Sequence, residues 1–209
     1  MFLAILFGVL FLAEISWAAT YYVATNGNDS NPGTMTSPFR TINKGASVLS
    51  AGDTLYVRGG TYKESVVVRA VGTADKPVTM TNYGDEAVIL DGNNNTIPTR
   101  DGGSGLFHII GQYITLKNLE LRYSGASAVV ITGTAKHCTI DNLYMHHNWS
   151  GGAVLSGDYS TAQNCRAWYN SMVNDHGQST TGWGFGISCA RYPYYCTIRN
   201  CTVWETWGE

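Results

Sequence analysis

Asp175 and His176 stand side by side in the polar run N-S-M-V-N-D-H-G-Q-S-T-T-G-W at 170–183, and Arg191 follows a short way on. A carboxylate, an imidazole and a guanidinium gathered by one bend are the parts of a metal ligand, a proton acceptor near neutral pH and a clamp for a carboxylate. The plain alternative is a surface loop in which Asp-His-Gly is turn chemistry. His146, His147 and Glu205 are further ionisable groups at the edges of neighbouring segments, and for His147 the plain reading is an exposed turn. The stretch N-G-N-D-S-N-P-G at 26–33 has the oxygen atoms of a cation loop, but its Gly, Asn and Pro make an ordinary turn the simpler account.

What would position these groups is a repeat. The phrase Y-C-T-I-R-N at 195–200 recurs as Y-I-T-L-K-N at 113–118, H-C-T-I-D-N at 137–142, Y-S-T-A-Q-N at 159–164 and P-V-T-M-T-N at 77–82. Its asparagines, Asn82, Asn118, Asn142, Asn164 and Asn200, set a unit of about 22 to 24 residues with two insertions, which is a solenoid period. Thr79, Thr115, Thr139, Thr161 and Thr197 sit three before each Asn, with apolar or small residues on either side, so each phrase reads as a half-buried strand. A second strand follows, with Leu119/Leu121, Leu143/Met145, Cys165/Ala167 and Cys201/Val203 facing inward. A third short strand closes the coil at 128–132, 152–156 and 184–188.

Three strands per coil around a stacked apolar interior predict a parallel β-helix, with successive coils about 4.8 Å apart. Asn tolerates the left-handed conformation a one-residue bend requires, and its amide can bond to the Asn one coil away. A leucine-rich solenoid is the rival, but its consensus is not what repeats.

Composition narrows the partner. Of 209 residues 44% are hydrophobic and 13% charged, and 13 basic against 15 acidic side chains leave no footprint for nucleic acid. The opening M-F-L-A-I-L-F-G-V-L-F-L-A-E-I-S-W-A reads as a secretory signal at 1–18, cut after Ala18, although it has no Lys or Arg before its apolar run. That run is shorter than the roughly 20 residues a membrane span needs, so a secreted, extracellular protein with no membrane segment after cleavage is expected. The domain reading is 19–209 as one solenoid, with a cap at about 20–60 and coils at about 61–209, in a chain expected to be a monomer. Because W-E-T-W-G-E falls in mid-coil without a cap, a longer parent protein is expected, and whether catalytic coils lie beyond Glu209 is left open by the sequence. None of the five cysteines shows zinc-site spacing. Their repeat positions suggest small core residues, with a Cys189–Cys196 pair as the alternative in an oxidising compartment.

On these motifs the chain resembles the right-handed parallel β-helix proteins of the pectate lyase-like superfamily. The fold the resemblance implies is all-β, a right-handed parallel β-helix solenoid with an N-terminal capping helix. The front end, Y-Y-V-A-T-N-G-N-D-S-N-P-G-T-M-T-S-P-F-R-T-I-N-K-G-A-S-V-L and then G-D-T-L-Y-V-R-G-G-T-Y-K-E, looks like the opening module of secreted members. Its helix is expected from about Thr41 to Leu49, with Ile42, Ala46 and Leu49 on one face.

The resemblance implies a polysaccharide lyase that cleaves uronate-containing glycans by β-elimination, with the extracellular acidic polysaccharide lying along the third strands. It also leaves open a non-catalytic glycan-binding or cell-surface β-helix, and a glycoside hydrolase or uronate epimerase on the same scaffold. Under the lyase reading Asp175, His176 and Arg191 are the candidate catalytic residues. Trp183, Tyr169, Trp204 and Trp149 are the candidate substrate-binding residues among the aromatics of that edge, which also include Tyr123 and Trp207, because rings stack on sugar faces. An aromatic set that only covers the loops is the alternative. Calcium is the cofactor such lyases imply, but its ligands are not identifiable in this chain. The outward residues of the third strands read as Val130, Thr132, Val154, Ser156 and Ser188, none of which ionises.

Overall fold

The computed structural model describes residues 17–94, 96–98, 104–171, 185–190 and 193–206. Residues 1–16 of the expected leader lie outside them. From Ala19 onward the backbone is tied in, the Ala19 N–H donating to Asp53 Oδ1 at 2.7 Å.

Three parallel sheets wind around one apolar interior, as the repeat predicts. The first stacks Thr20–Val23, Thr54–Val57, Val78–Asn82, Ile114–Lys117, Thr139–Asp141, Thr161–Gln163 and Thr197–Arg199. The second stacks Gly60–Tyr62, Val88–Asp91, Glu120–Arg122, Tyr144–His146, Arg166–Trp168 and Thr202–Trp204. The third stacks Val66–Val68, Gly105–Ile109, Ser127–Ile131, Gly151–Leu155 and Phe185–Cys189. Alternation decides which side chains turn inward, because a strand sends successive residues to opposite faces. Leu119, Leu143 and Cys165 are buried in one column, and Cys201 continues it at the last described coil. Outside, Thr115, Thr139, Thr161 and Thr197 are register partners, and the row runs on through Thr79 and Thr54 to Thr20.

The asparagine bends form as expected at four positions: Asn118, Asn142, Asn164 and Asn200 have φ between 50 and 60°. Asn142 Nδ2 donates to Asn118 Oδ1 at 3.0 Å, and Asn200 Nδ2 to Asn164 Oδ1 at 3.5 Å. The expected continuous ladder breaks between them, because Asn164 Nδ2 donates instead to Asp141 Oδ1 at 2.8 Å. Asn82 keeps strand geometry and donates to the Gly84 and Glu86 carbonyls, so its coil turns through a wider loop.

Two further columns of left-handed residues were not anticipated. Tyr113, His137, Tyr159 and Tyr195 enter the first sheet with φ of 53 to 55°, and Tyr123, His147, Tyr169 and Glu205 leave the second with φ of 47 to 55°. Such a conformation costs about 1–2 kcal/mol for a residue with a Cβ. In the first column stacking offsets much of that, at about 0.5–1.5 kcal/mol per ring pair. The Tyr113–His137, His137–Tyr159 and Tyr159–Tyr195 centroids lie 4.5, 4.7 and 5.2 Å apart, with planes within 19°.

The capping helix is shorter than expected, Ile42–Ser47. Thr41 is its N-cap, accepting from the Lys44 N–H at 3.1 Å, and Leu49 lies past its end though still buried. Glu64 accepts from the Ile42 and Asn43 N–H groups, and Asp29 from those of Arg40 and Thr41, so carboxylates take up the helix's free donors. Gly45 lets the helix approach closely: a Cβ there would lie 2.7 Å from a Leu55 methyl. Asn43 Oδ1 accepts the N–H of Val67, on the edge strand of the third sheet.

Cys189 and Cys196 form a disulfide, so Cys196 is not the free core thiol its repeat position suggested. Burial pushes the Cys138 and Cys165 thiols up to about 11 and about 12, which leaves them unionised and inert. Among the described residues no helix is long and apolar enough to cross a membrane.

Candidate functional site

The exterior of the third sheet is a narrow floor. Val67, His108, Val130, Val154 and Ser188 are register partners in one row, flanked on the first four strands by buried residues such as Phe107 and Ile109, and at Ser188 by half-buried Ile187 and exposed Cys189. Val154 and Ser188 lie half-buried where the repeat placed them, whereas Val130, in the same row, is buried. Ser156 does not project into solvent as expected: it is buried, and Thr132 is half-buried. His108 supplies an ionisable group that the sequence reading missed, because the strand Gly105–Ile109 lies in the coil lengthened by insertion and was not aligned with its neighbours.

Where the second sheet turns toward the third, side chains align in three rows. Arg122, His146, Trp168 and Trp204 are register partners at the strand ends. The left-handed Tyr123, His147, Tyr169 and Glu205 follow, and then the buried Ser124, Asn148 and Asn170. Asn148 Oδ1 accepts the Ser124 N–H at 3.0 Å, Asn148 Nδ2 donates to Asn170 Oδ1 at 2.8 Å, and Asn170 Nδ2 to the Met145 carbonyl at 3.0 Å. This second, interior asparagine ladder was also unforeseen. Its signal is present as H-H-N at 146–148 and W-Y-N at 168–170, two copies of one phrase.

The same corner carries a charged chain. Asp91 Oδ2 accepts from Arg122 Nε at 3.0 Å, Arg122 Nη1 donates to Glu120 Oε1 at 3.1 Å, and His146 Nε2 lies 3.3 Å from that oxygen. His146 Nδ1 faces His147 Nδ1 at 2.7 Å. Only 12% of the His146 side chain is exposed. Burial, helped by the neighbouring His147, holds its pKa below the ordinary imidazole value, against the opposing pull of Glu120. Neutral His146 then donates its Nε2–H to Glu120 and accepts at Nδ1 from His147. The arrangement can pass a proton between an exposed imidazole and a carboxylate.

Of the expected sugar-binding rings, Tyr169 and Trp204 lie at this corner, and Trp149 lies just past it, half-buried, with its backbone N–H donated to the Ser124 carbonyl. Trp168, passed over in the sequence, lies between two of its neighbours. His146 covers one face at 4.3 Å, and Trp204 is parallel to it at 5.0 Å and 7°. Trp168 thus presents its edge outward, and one face of Trp204 is occupied. Tyr169 packs obliquely on His147 at 5.2 Å, and its hydroxyl is pushed up by a hydrogen bond with Glu205. Asp175, His176, Trp183, Arg191 and Trp207 lie outside the described residues.

Calcium favours six to eight oxygen ligands. Among the described residues no group of three or more His, Cys, Asp or Glu side chains is placed to hold a metal ion.

A family model described as Pel9A-like, right handed beta helix region, matches residues 21–207. Pectate lyase PEL9 of Emericella nidulans is 37% identical over 164 residues, which are 74% of this chain and 39% of that protein. The crystal structure of pectate lyase Pel9A superposes with a TM-score of 0.73 at 21% identity, covering 92% of this chain and 49% of its own. A rhamnogalacturonan lyase structure gives 0.73 at 22% identity, covering 90% and 52%. At such identity the two structures speak for the fold. The chain spans about half of each and less of the fungal relative.

Proposed function

This chain belongs to the Pel9A-like right-handed β-helix family, and we propose that it serves a secreted polysaccharide lyase that cleaves uronate-containing glycans by β-elimination. The observation that supports this reading best is that the family match, 21–207, takes in all the coils whose third strands build the exterior floor. The fungal relative named as a pectate lyase points the same way.

In the proposed reaction a base removes the C5 proton of a uronate whose carboxylate is held by a cation. The C5–H electrons form the C4–C5 double bond, the C4–O bond breaks, and the departing oxygen takes a proton. Arg191 is assigned to the carboxylate, and Asp175 and His176 to proton transfer. Tyr169, Trp204, Trp149 and Trp183 are assigned to contact with the sugar chain. The described residues do not form a calcium cage, and no step is routed through that ion.

The test is a full-length protein assayed on pectate, alginate and glycosaminoglycan for the ultraviolet absorbance of an unsaturated uronate. Asp175→Ala and His176→Ala should lower kcat more than they change KM. Wild-type turnover in both variants would remove these residues from the chemistry.

A glycan-binding β-helix without turnover is the second reading. It is favoured by one feature: the floor row Val67, His108, Val130, Val154, Ser188 has a single ionisable side chain. Polyuronate binding with no unsaturated product would be its signature.

A further inference from the structure

We propose that the helix-capped end of the third sheet is a distal subsite for a uronate carboxylate, built from Arg69 with His108 beside it. The inference rests on the acidic-glycan reading above and adds a site to it.

Arg69 follows the edge strand Val66–Val68. Val66 and Val68 are fully buried, Val67 is half-buried and Arg69 is exposed, so Val67 and Arg69 share the outward face. His108 is the register partner of Val67. It is therefore a diagonal neighbour of Arg69, at about 8 Å between backbones and within reach of long side chains. Among the described residues Arg69 pairs with no carboxylate, whereas Arg58 and Arg122 are both bound to acids. A guanidinium left open has its planar fork free for a carboxylate from outside.

The place is also shaped. A cleft of about 470 Å³ opens between the capping helix and the edge strand, lined by Asn43, Ala46, Leu49, Val67, Arg69 and Ala70. Its Val67 wall is the first member of the floor row that runs through His108 to Ser188. Four strand spacings make that row about 19 Å long, so a glycan lying along the floor would bring its far end to Arg69. Walls that mix apolar Ala46, Leu49 and Val67 with polar Asn43 and one exposed cation suit an acidic sugar, whose ring buries CH faces while its carboxylate meets the guanidinium.

A contact this far along the groove should matter only to chains long enough to reach it. In the full-length protein, Arg69→Ala should raise KM for long polygalacturonate by roughly five- to tenfold. It should leave kcat unchanged and have no effect on the shortest oligomer cleaved. The rise should shrink at high salt and vanish on fully methyl-esterified polymer, which carries no carboxylate. Arg69→Gln should reproduce it, and His108→Gln should show a smaller rise of the same kind, with thermal unfolding unchanged for the exposed Arg69 variants. Calorimetric binding of polygalacturonate runs in parallel. If wild type binds without cleaving and Arg69→Ala binds more weakly, the subsite stands and the lyase reading falls. If wild type cleaves or binds and Arg69→Ala does so equally well on long chains, the subsite is overturned and the function stands. If wild type neither binds nor cleaves any polyuronate, both are overturned.

Discussion

The Nδ1 atoms of His146 and His147 lie 2.7 Å apart, a lone pair on one facing an N–H on the other, while His146 Nε2 reaches back to Glu120. Two adjacent residues meet this way because His147 is left-handed, at φ 55°, which turns its ring back along the strand end. The pair links the surface to a half-buried carboxylate.

A pH dependence follows from that pair. The folded pKa of His146 lies below its ordinary value, chiefly through burial. Between the two values the unfolded chain binds more protons than the folded one, so stability is full above the ordinary value and is lost as pH falls through the folded value. Thermal unfolding from about pH 7 down to about pH 5 should show a falling Tm, and His146→Gln should flatten that fall. An identical slope in the variant would assign the effect to other groups.

Leu143 is fully buried between Leu119 and Cys165. Leu143→Ala should cost about 2–5 kcal/mol through the lost transfer and the cavity. Leu143→Asp should cost more, because an unpaired carboxylate has no partner in that column. Chemical denaturation with both variants measures the difference, and equal midpoints with wild type would show that the side chain faces out.

The two asparagine ladders should respond differently. Asn148 is buried and its amide bridges Ser124 to Asn170, so Asn148→Ala should cost about 1–3 kcal/mol by leaving buried groups unsatisfied. Asn142 is exposed, and Asn142→Gly keeps its left-handed bend while losing one amide bond to Asn118, a change of about 1 kcal/mol or less. Equal losses at the two sites would mean that the interior ladder is wetter than its burial indicates.

Gly45→Ala sets two effects against each other. Alanine gains about 1 kcal/mol of helix propensity, but its Cβ would meet Leu55 at 2.7 Å and Val23 at 2.9 Å. Overpacking of this kind costs about 1–3 kcal/mol, so a lower Tm is expected. A higher Tm would show that the cap can slide outward on the first coil.

The solenoid was legible because T-x-x-N ties a strand and its bend together within six residues, and stacking repeats that phrase until chance is excluded. The corner aromatics were not legible. Tyr and Glu have no intrinsic preference that would place Tyr123, Tyr169 and Glu205 beside His147 in one left-handed column, and backbone bonds from one coil to the next, Tyr123 to His146, His147 to Trp168 and Tyr169 to Glu205, set that column. Asn82 shows the reverse failure, since it matches the phrase yet stays extended where the chain inserts Tyr83 to Ala87.

For the candidate site, residue types were visible but their directions were not. The sequence by itself determined the coil period, the inward columns such as Leu119–Leu143–Cys165 and the outward threonine row, because each follows from local alternation and bend chemistry. Only the tertiary structure decided that Trp168 lies between His146 and Trp204, that His108 joins the floor row, and that Arg69 is left open beside the cap. Those relations depend on which coil stacks on which, and pairs such as Val67–His108 become neighbours through hydrogen bonds between strands that no local pattern encodes.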